Sequence, residues 1–370
     1  MPALGWVREM SWTGMFRNRT TRVHAVDPAV DLCYFPLQRG YSSRLLRPLR
    51  FAEVIADRMR ACGASDARHS PLICTTPYYA PVAQLWPGPV VYYLTDLTRG
   101  YEGANARLVE QLDRQMCDAA TLVCPNSRRI ADYLRDEIGC SGSKIVIVPN
   151  ATRRGNVFEA MPHGPGGLPE DLSRLSRPIA GVIGNLAANL DWVLMRDVID
   201  SNPGFSWAFI GPTRMSIPDE RQRKARQELI SRGGNVVFTG EKPYGQLRDY
   251  ARCFDVAILP YQPRSEPTYS GSSTRFYEHL AACRPMVSTR GFEELLHKEP
   301  LVRLVDTAAE TNAALSDLRG QGFCDGYEEL RWHASQAGTW EDRAQTVVSA
   351  LGERLETEDG MLTQSAEMGL

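Results

Sequence analysis

The densest group of chemically useful side chains lies in Pro267-Thr-Tyr-Ser-Gly-Ser-Ser-Thr-Arg-Phe-Tyr-Glu-His-Leu-Ala-Ala-Cys-Arg-Pro285. Ser272, Ser273 and Thr274 carry hydroxyls suited to capping a helix. Phe276, Leu280 and Cys283 follow at i, i+4 and i+7 and mark the buried face of that helix. Arg275 falls in its first turn, where the helix dipole disfavours a cation. An anion at the same place offsets that cost. A diphosphate would accept hydrogen bonds from the free backbone N–H groups and pair with the guanidinium. Glu278 lies three residues on, on the same face, and can accept hydrogen bonds from ribose hydroxyls. The plainer alternative is an exposed Arg–Glu surface pair of little energetic value. The context, a strand, then a Ser/Gly loop, then a helix, favours a site.

A second group is Val90-Val-Tyr-Tyr-Leu-Thr-Asp-Leu-Thr-Arg-Gly-Tyr-Glu-Gly103. Asp96 follows the apolar run directly, and Glu102 stands in reserve. The structural alternative for Asp96 is a cap on the next helix.

The elements that position both groups are short β-rich runs alternating with helical periods. Strands are expected at Val90–Leu94, Thr121–Cys124, Ile145–Val148, Ile179–Ile183, Ser206–Ile210, Asn235–Thr239, Val256–Pro260 and Met286–Ser288. Weaker runs lie at Arg22–Val26, Asp31–Phe35 and Leu72–Thr75. Most are continuously apolar, as in strands buried on both faces of a parallel sheet. Helical periods between them include Leu108–Ala119, Ser127–Ile138, Asp191–Asp200 and Tyr244–Arg252. This is an α/β, doubly wound pattern, in which ligands bind at the carboxyl ends of strands. Both chemical groups sit at such ends.

The alternation breaks once, between Pro149 and Pro178. The expected organisation is therefore an N-terminal Rossmann-like domain over 1–150, a linker over 151–178, and a second such domain over 179–335. A C-terminal helix over 336–355 and a disordered tail over 356–370 follow. The first domain lacks the usual opening strand and Gly-rich turn. It is either abbreviated or begun upstream of this sequence.

The segment Ser272–Pro285 resembles the donor-binding motif of GT-B glycosyltransferases. The likeness is to family-4-like members of the bacterial exopolysaccharide and teichuronic-acid group, where the pattern reads roughly Asn/Ser-Pro/Ser-x-Lys-Leu-Tyr-Glu-Tyr-Leu-Ala-Ala-Gly-Lys-Pro. Gly181-Val-Ile-Gly-Asn185, Asn235–Leu247 and Phe254–Tyr261 are similar to the same family, and the resemblance spans about residues 90 to 350. It implies two Rossmann-like domains facing a cleft and a nucleotide-diphosphate sugar as donor, a UDP-sugar first among them. It implies Arg275 on the donor diphosphate or sugar and Glu278 on the ribose. Gly184 and Asn185 then line the phosphate side, Lys242 faces the base or phosphate, Tyr269 and Ser272 border the sugar, and Ser273 and Thr274 also belong to the donor-binding loop. Tyr92-Tyr-Leu-Thr-Asp96 is similar to the Tyr-x-x-x-Asp segment of xanthan-type glucuronosyltransferases, which implies Asp96 as general base. A sugar hydroxyl is too weak an acid to attack unaided, so a positioned carboxylate suits the chemistry.

One departure bears on mechanism. Many retaining members carry a further Glu eight residues before the second, and position 270 is Ser. That weighs toward an inverting single displacement; Glu266 compensates only if its loop folds back. No Asp-x-Asp motif sits near a strand end, so neither a metal nor a cofactor beyond the donor is expected. The implied product is a surface polysaccharide or glycolipid, made on a saccharide or lipid-linked acceptor. Rival readings are a nucleotide-sugar 2-epimerase of the same architecture and a non-catalytic nucleotide-sugar-binding protein.

Composition bounds the remaining classes. Forty-two basic against forty-four acidic residues leave a net charge of -2, which excludes a field that gathers nucleic acid. Nine scattered cysteines without a Cys-x-x-Cys pair point to reduced thiols, and the absence of a signal peptide or apolar span to a cytoplasmic chain. Ser42–Gly63 sets Arg44, Arg47, Arg50, Arg58 and Arg60 among apolar residues, a candidate peripheral contact with an anionic membrane face. Glu53 and Asp57 interrupt that run and favour a helix packed on the N-terminal sheet.

Overall fold

A computed structural model describes residues 21–23, 32–34, 53, 68–101, 103–262 and 269–367. Glu102, Glu266 and, apart from position 53, the basic segment Ser42–Gly63 lie outside the described residues.

The second half is built on a parallel sheet of β6 (Ile179–Ile183), β7 (Ser206–Ile210), β8 (Val236–Gly240), β9 (Val256–Leu259), β10 (Met286–Thr289) and the short edge strand β11 (Arg303–Val305). Its order is β11-β10-β9-β6-β7-β8. Chain direction across the sheet therefore reverses between β6 and β9, and a doubly wound sheet opens a crevice at such a point. Every residue of β6, β7, β9 and β10 is buried, as their continuous apolar runs require. Phe209 and Phe238 stack at 4.5 Å on β7 and β8, and Trp192 closes over them. Gly181 on β6 leaves room for the Phe254 ring, which a Cβ would meet at 2.1 Å.

The first half carries a parallel sheet of β3 (Leu72–Cys74), β4 (Val90–Leu94) and β5 (Leu122–Pro125), in that order. The weak runs near the start form a separate antiparallel ribbon, β1 (Thr21–Val23) and β2 (Leu32–Tyr34), instead of extending this sheet. Ile145–Val148, expected as a strand, runs beside β5 and gives it only two bonds, Val146 N–H to Val123 O and Val148 N–H to Pro125 O. Pro149 brings no N–H to continue that ladder.

Helix α1 (Ala106–Ala119) is capped by Asn105 and buries Val109, Leu112 and Met116 against the first sheet. Helix α2 (Arg128–Asp132) follows β5, capped by Ser127, and passes into a π-type turn at Tyr133–Glu137. The second sheet is covered by α3 (Trp192–Ser201), α4 (Glu220–Arg232), α5 (Leu247–Cys253), α6 (Thr274–Ala281), α7 (Ala308–Gly320) and α8 (Glu328–Gln336).

The last helix, α9 (Trp340–Glu367), returns to the first half. Val347, Ala350 and Leu351 pack there on Val91, Leu122, Cys124 and Val148. The tail expected to be disordered from residue 356 is thus helical as far as Glu367. Those positions lack an apolar period but are rich in Glu, Met, Leu, Gln and Ala and free of proline, so a helix already nucleated by packing continues through them.

Candidate active site

The carboxyl tips of both sheets meet. Asn126, after β5, donates its amide to Thr95 O after β4 at 2.8 Å, which fixes the backbone beside Asp96. Ser127 donates its hydroxyl to Ser270 O in the other domain, and Arg129 Nε donates to Ser270 Oγ at 3.1 Å. Ser270 is fully buried by these contacts. Ser270, just before α6, is therefore tied to the first domain through Ser127 and Arg129.

Asp96 is partly buried, and desolvation raises its carboxyl above the ordinary carboxylate range despite hydrogen bonds from Thr95 and Tyr101. Nearby, Asp113 of α1 accepts from Tyr92 at 2.5 Å and Tyr133 at 2.6 Å. Burial pushes its carboxyl up from 3.8 to about 6 against the pull of those phenols. The sign follows from linkage. A carboxyl raised in the folded state stabilises fully below its unfolded pKa, and that contribution is lost as pH climbs through about 6. Relative to Asp113→Asn, the wild-type chain is expected to lose about 3 kcal/mol between about pH 4 and pH 7 in urea unfolding. A pH-independent difference would contradict a buried, titrating Asp113.

Helix α6 begins as its hydroxyls suggest. Ser273 is the N-cap, accepting from Phe276 N–H at 3.2 Å. Glu294, just after β10, accepts from Ser272 Oγ at 2.7 Å, Ser273 N–H at 3.0 Å and Tyr277 Oη at 2.6 Å. The N–H groups of Thr274 and Arg275 donate to no described residue. A helix start with free amides can accept an anion, and this helix follows β9, a strand at the switch point.

Arg275 is 8% exposed and Glu278 6%, which removes the exposed surface pair as an explanation. Arg275 solves its dipole problem with carbonyl oxygens. Nε donates to Ile183 O at 2.7 Å and Nη2 to Asn185 O, so the guanidinium braces the turn after β6. Gly184 adopts φ +112° in that turn, and a Cβ there would meet Arg275 Nε at 2.9 Å. Gly211, after β7 at φ +145°, lies against it so closely that a Cβ would fall 1.9 Å from Gly184 O.

Glu278 faces the linker. It accepts from Thr152 Oγ1 at 3.0 Å, Asn156 Nδ2 at 3.1 Å and the Tyr244 hydroxyl. Burial raises its carboxyl, and these three donors pull it back. Asn150 adds a second tie, donating to Ser272 O at 2.7 Å and Thr274 Oγ1 at 3.0 Å. Tyr269 lies beneath the Arg129 guanidinium, 5.4 Å away. Lys242 sits apart from this group, with its ammonium 2.6 Å from Asp171 and over the Tyr250 ring. His279 is enclosed without a partner for either ring nitrogen, and desolvation lowers it to about 3, so it is a neutral structural residue.

The structure thus joins Gly184, Asn185 and Arg275 at one turn, and Ser272, Ser273, Thr274 and Glu278 along one helix start. Ser127, Arg129, Asn150, Thr152, Asn156, Tyr244 and Glu294 were not legible as site residues. Glu294 had a usable signal, because it follows a predicted strand end. Asn150 and Thr152 carry no local signal of this role, because their partners lie more than a hundred residues away.

No family model matches the chain. It is similar to a Bacillus subtilis protein with the provisional name teichuronic acid biosynthesis glycosyltransferase TuaH, at 23% identity over 265 residues. That match covers 68% of this chain and 64% of the relative, so the chain spans less than two thirds of the relative's length. Among solved structures, sucrose-phosphate synthase of Thermosynechococcus elongatus superposes with a TM-score of 0.67 at 14% identity, over 92% of this chain and 87% of that one. A glycosyltransferase of Rickettsia africae gives 0.63 at 12% identity, over 86% and 84%. Anabaena HepE in complex with UDP-glucose gives 0.59 at 14%, again over 86% and 84%. The chain has the GT-B fold.

GT-B geometry accounts for the two features that the chain order alone leaves unexplained. The returning helix α9 ties the C-terminal end to the first domain, and Thr152 and Asn156 of the linker bond Glu278 of the second. Among the described residues no helix is long and apolar enough to cross a membrane.

Proposed function

We propose that the chain is a glycosyltransferase that transfers a sugar from a nucleotide-diphosphate sugar, UDP-linked in the first instance, to a saccharide or lipid-linked acceptor for surface polysaccharide. The observation that carries this reading is the junction at Ser270, where the tips of both sheets converge on a helix start with free amides. The diphosphate binds at the Thr274 and Arg275 amides, beside the Gly184–Asn185 turn that Arg275 braces. Asp96, raised by burial, takes the proton of the acceptor hydroxyl. The acceptor oxygen then bonds to the anomeric carbon. The bond from that carbon to the phosphate oxygen breaks, and its electron pair leaves on the nucleoside diphosphate. The helix start and the nearby guanidinium offset that charge. Ser at position 270 supports inversion, and the step requires no metal. The UDP-glucose complex of HepE supports the donor class, and the teichuronic acid name of the B. subtilis relative supports the product class.

The test is a thermal-unfolding panel of nucleotide sugars followed by a UDP-release assay with saccharide acceptors. A ligand at a hundred times its Kd stabilises by about 2.7 kcal/mol, so a true donor is expected to raise Tm visibly. Absence of stabilisation by every nucleotide sugar, together with no UDP release, would overturn the reading.

A further inference from the structure

A cavity of about 210 Å³ is lined by Leu97, the residue after Asp96, with Arg99, Arg129 and Tyr133 of the first domain and Glu293 of the second. It has room for a sugar ring. Most of the charge around it is already satisfied. Arg99 binds Glu137 at 2.6 Å and Glu110 at 3.3 Å, and Arg135 binds both Asp132 and Asp136 at 2.8 Å. Two groups retain capacity. Arg129 uses Nε on Ser270 and its face on Tyr269, while its terminal nitrogens donate to no described residue. Among the described residues Glu293 makes a single 3.3 Å contact, to the exposed His297.

We propose that this cavity is the acceptor subsite and that it takes an uncharged sugar ring, with Arg129 donating to one hydroxyl and Glu293 accepting from another. The inference rests on the glycosyltransferase reading above. A donor fork and an acceptor carboxylate facing each other across a polar hollow match the paired donor and acceptor character of sugar hydroxyls. A uronate or phosphate would meet four lining carboxylates, Asp132, Asp136, Glu137 and Glu293, against two arginines. Because Glu293 comes from the donor-side domain, the subsite is complete only while the two domains are clamped at Ser270.

Ligand-observed saturation-transfer NMR on the full chain tests this, using methyl β-glucoside, methyl N-acetyl-β-glucosaminide and methyl β-glucuronide, with UDP in the same tube. At least one neutral glycoside is expected to bind more strongly than the glucuronide. Glu293→Gln and Arg129→Gln are each expected to weaken it roughly tenfold. The UDP signal should persist in Glu293→Gln, which shows that the variant is folded. Stronger binding of the glucuronide, no binding of either neutral glycoside, or neutral binding unchanged in both variants overturns the subsite. Loss of the UDP signal in the unmodified chain speaks instead against the donor reading, and the glycoside signals still decide the cavity.

Discussion

Asp96→Asn is expected to lower turnover by roughly 10²–10⁴-fold while leaving the Kd for the donor within about twofold, the range typical of losing a positioned general base. Asparagine keeps the shape of the side chain and the Thr95 hydroxyl within reach, so the change removes proton acceptance and little else. The carboxyl is raised by desolvation, so the wild-type rate should fall on the acid side at a pH above the ordinary carboxylate range. The substitution should remove that limb. A variant that turned over at the wild-type rate, with the same acid limb, would transfer the role to another group.

Arg275→Leu is expected to destabilise the chain by about 3 kcal/mol or more and to abolish donor binding. The guanidinium holds two backbone carbonyls of the β6 turn, at Ile183 and Asn185, and its removal leaves them unanswered in a buried place. Arg275→Lys should recover only part of the loss, since an ammonium is a point charge that does not reproduce the fork. Urea unfolding and a UDP titration measure the two effects separately. Full stability with weakened UDP affinity would mean that the side chain acts on the ligand alone. Full affinity with reduced stability would mean that it acts only on the fold.

The doubly wound α/β pattern was legible because strands buried on both faces must be continuously apolar, and the GT-B arrangement came from the resemblance of the Ser272–Pro285 segment. Ile179–Ile183 and Ser206–Ile210 announce themselves for that reason, and the observed β6 and β7 have those same bounds. The Ser272–Glu278 segment was legible for a second local reason, since capping hydroxyls, an apolar face and a misplaced cation coincide within two turns. Lys242 shows the opposite case. A lysine after a strand end looks free, yet Asp171, from the linker, claims its ammonium at 2.6 Å.

The sequence by itself determined the periodicities, and through them the two sheets, the break between them and the helix start at Ser273. Propensity and burial pattern act over a few residues, so these features are written locally. Only the tertiary structure decided which side chains meet across the break: Ser127 and Arg129 with Ser270, Thr152 and Asn156 with Glu278, and α9 against the first domain. Hydrogen bonds between residues more than a hundred positions apart leave no period in the chain. They exist only once packing has brought the carboxyl tips of the two sheets together.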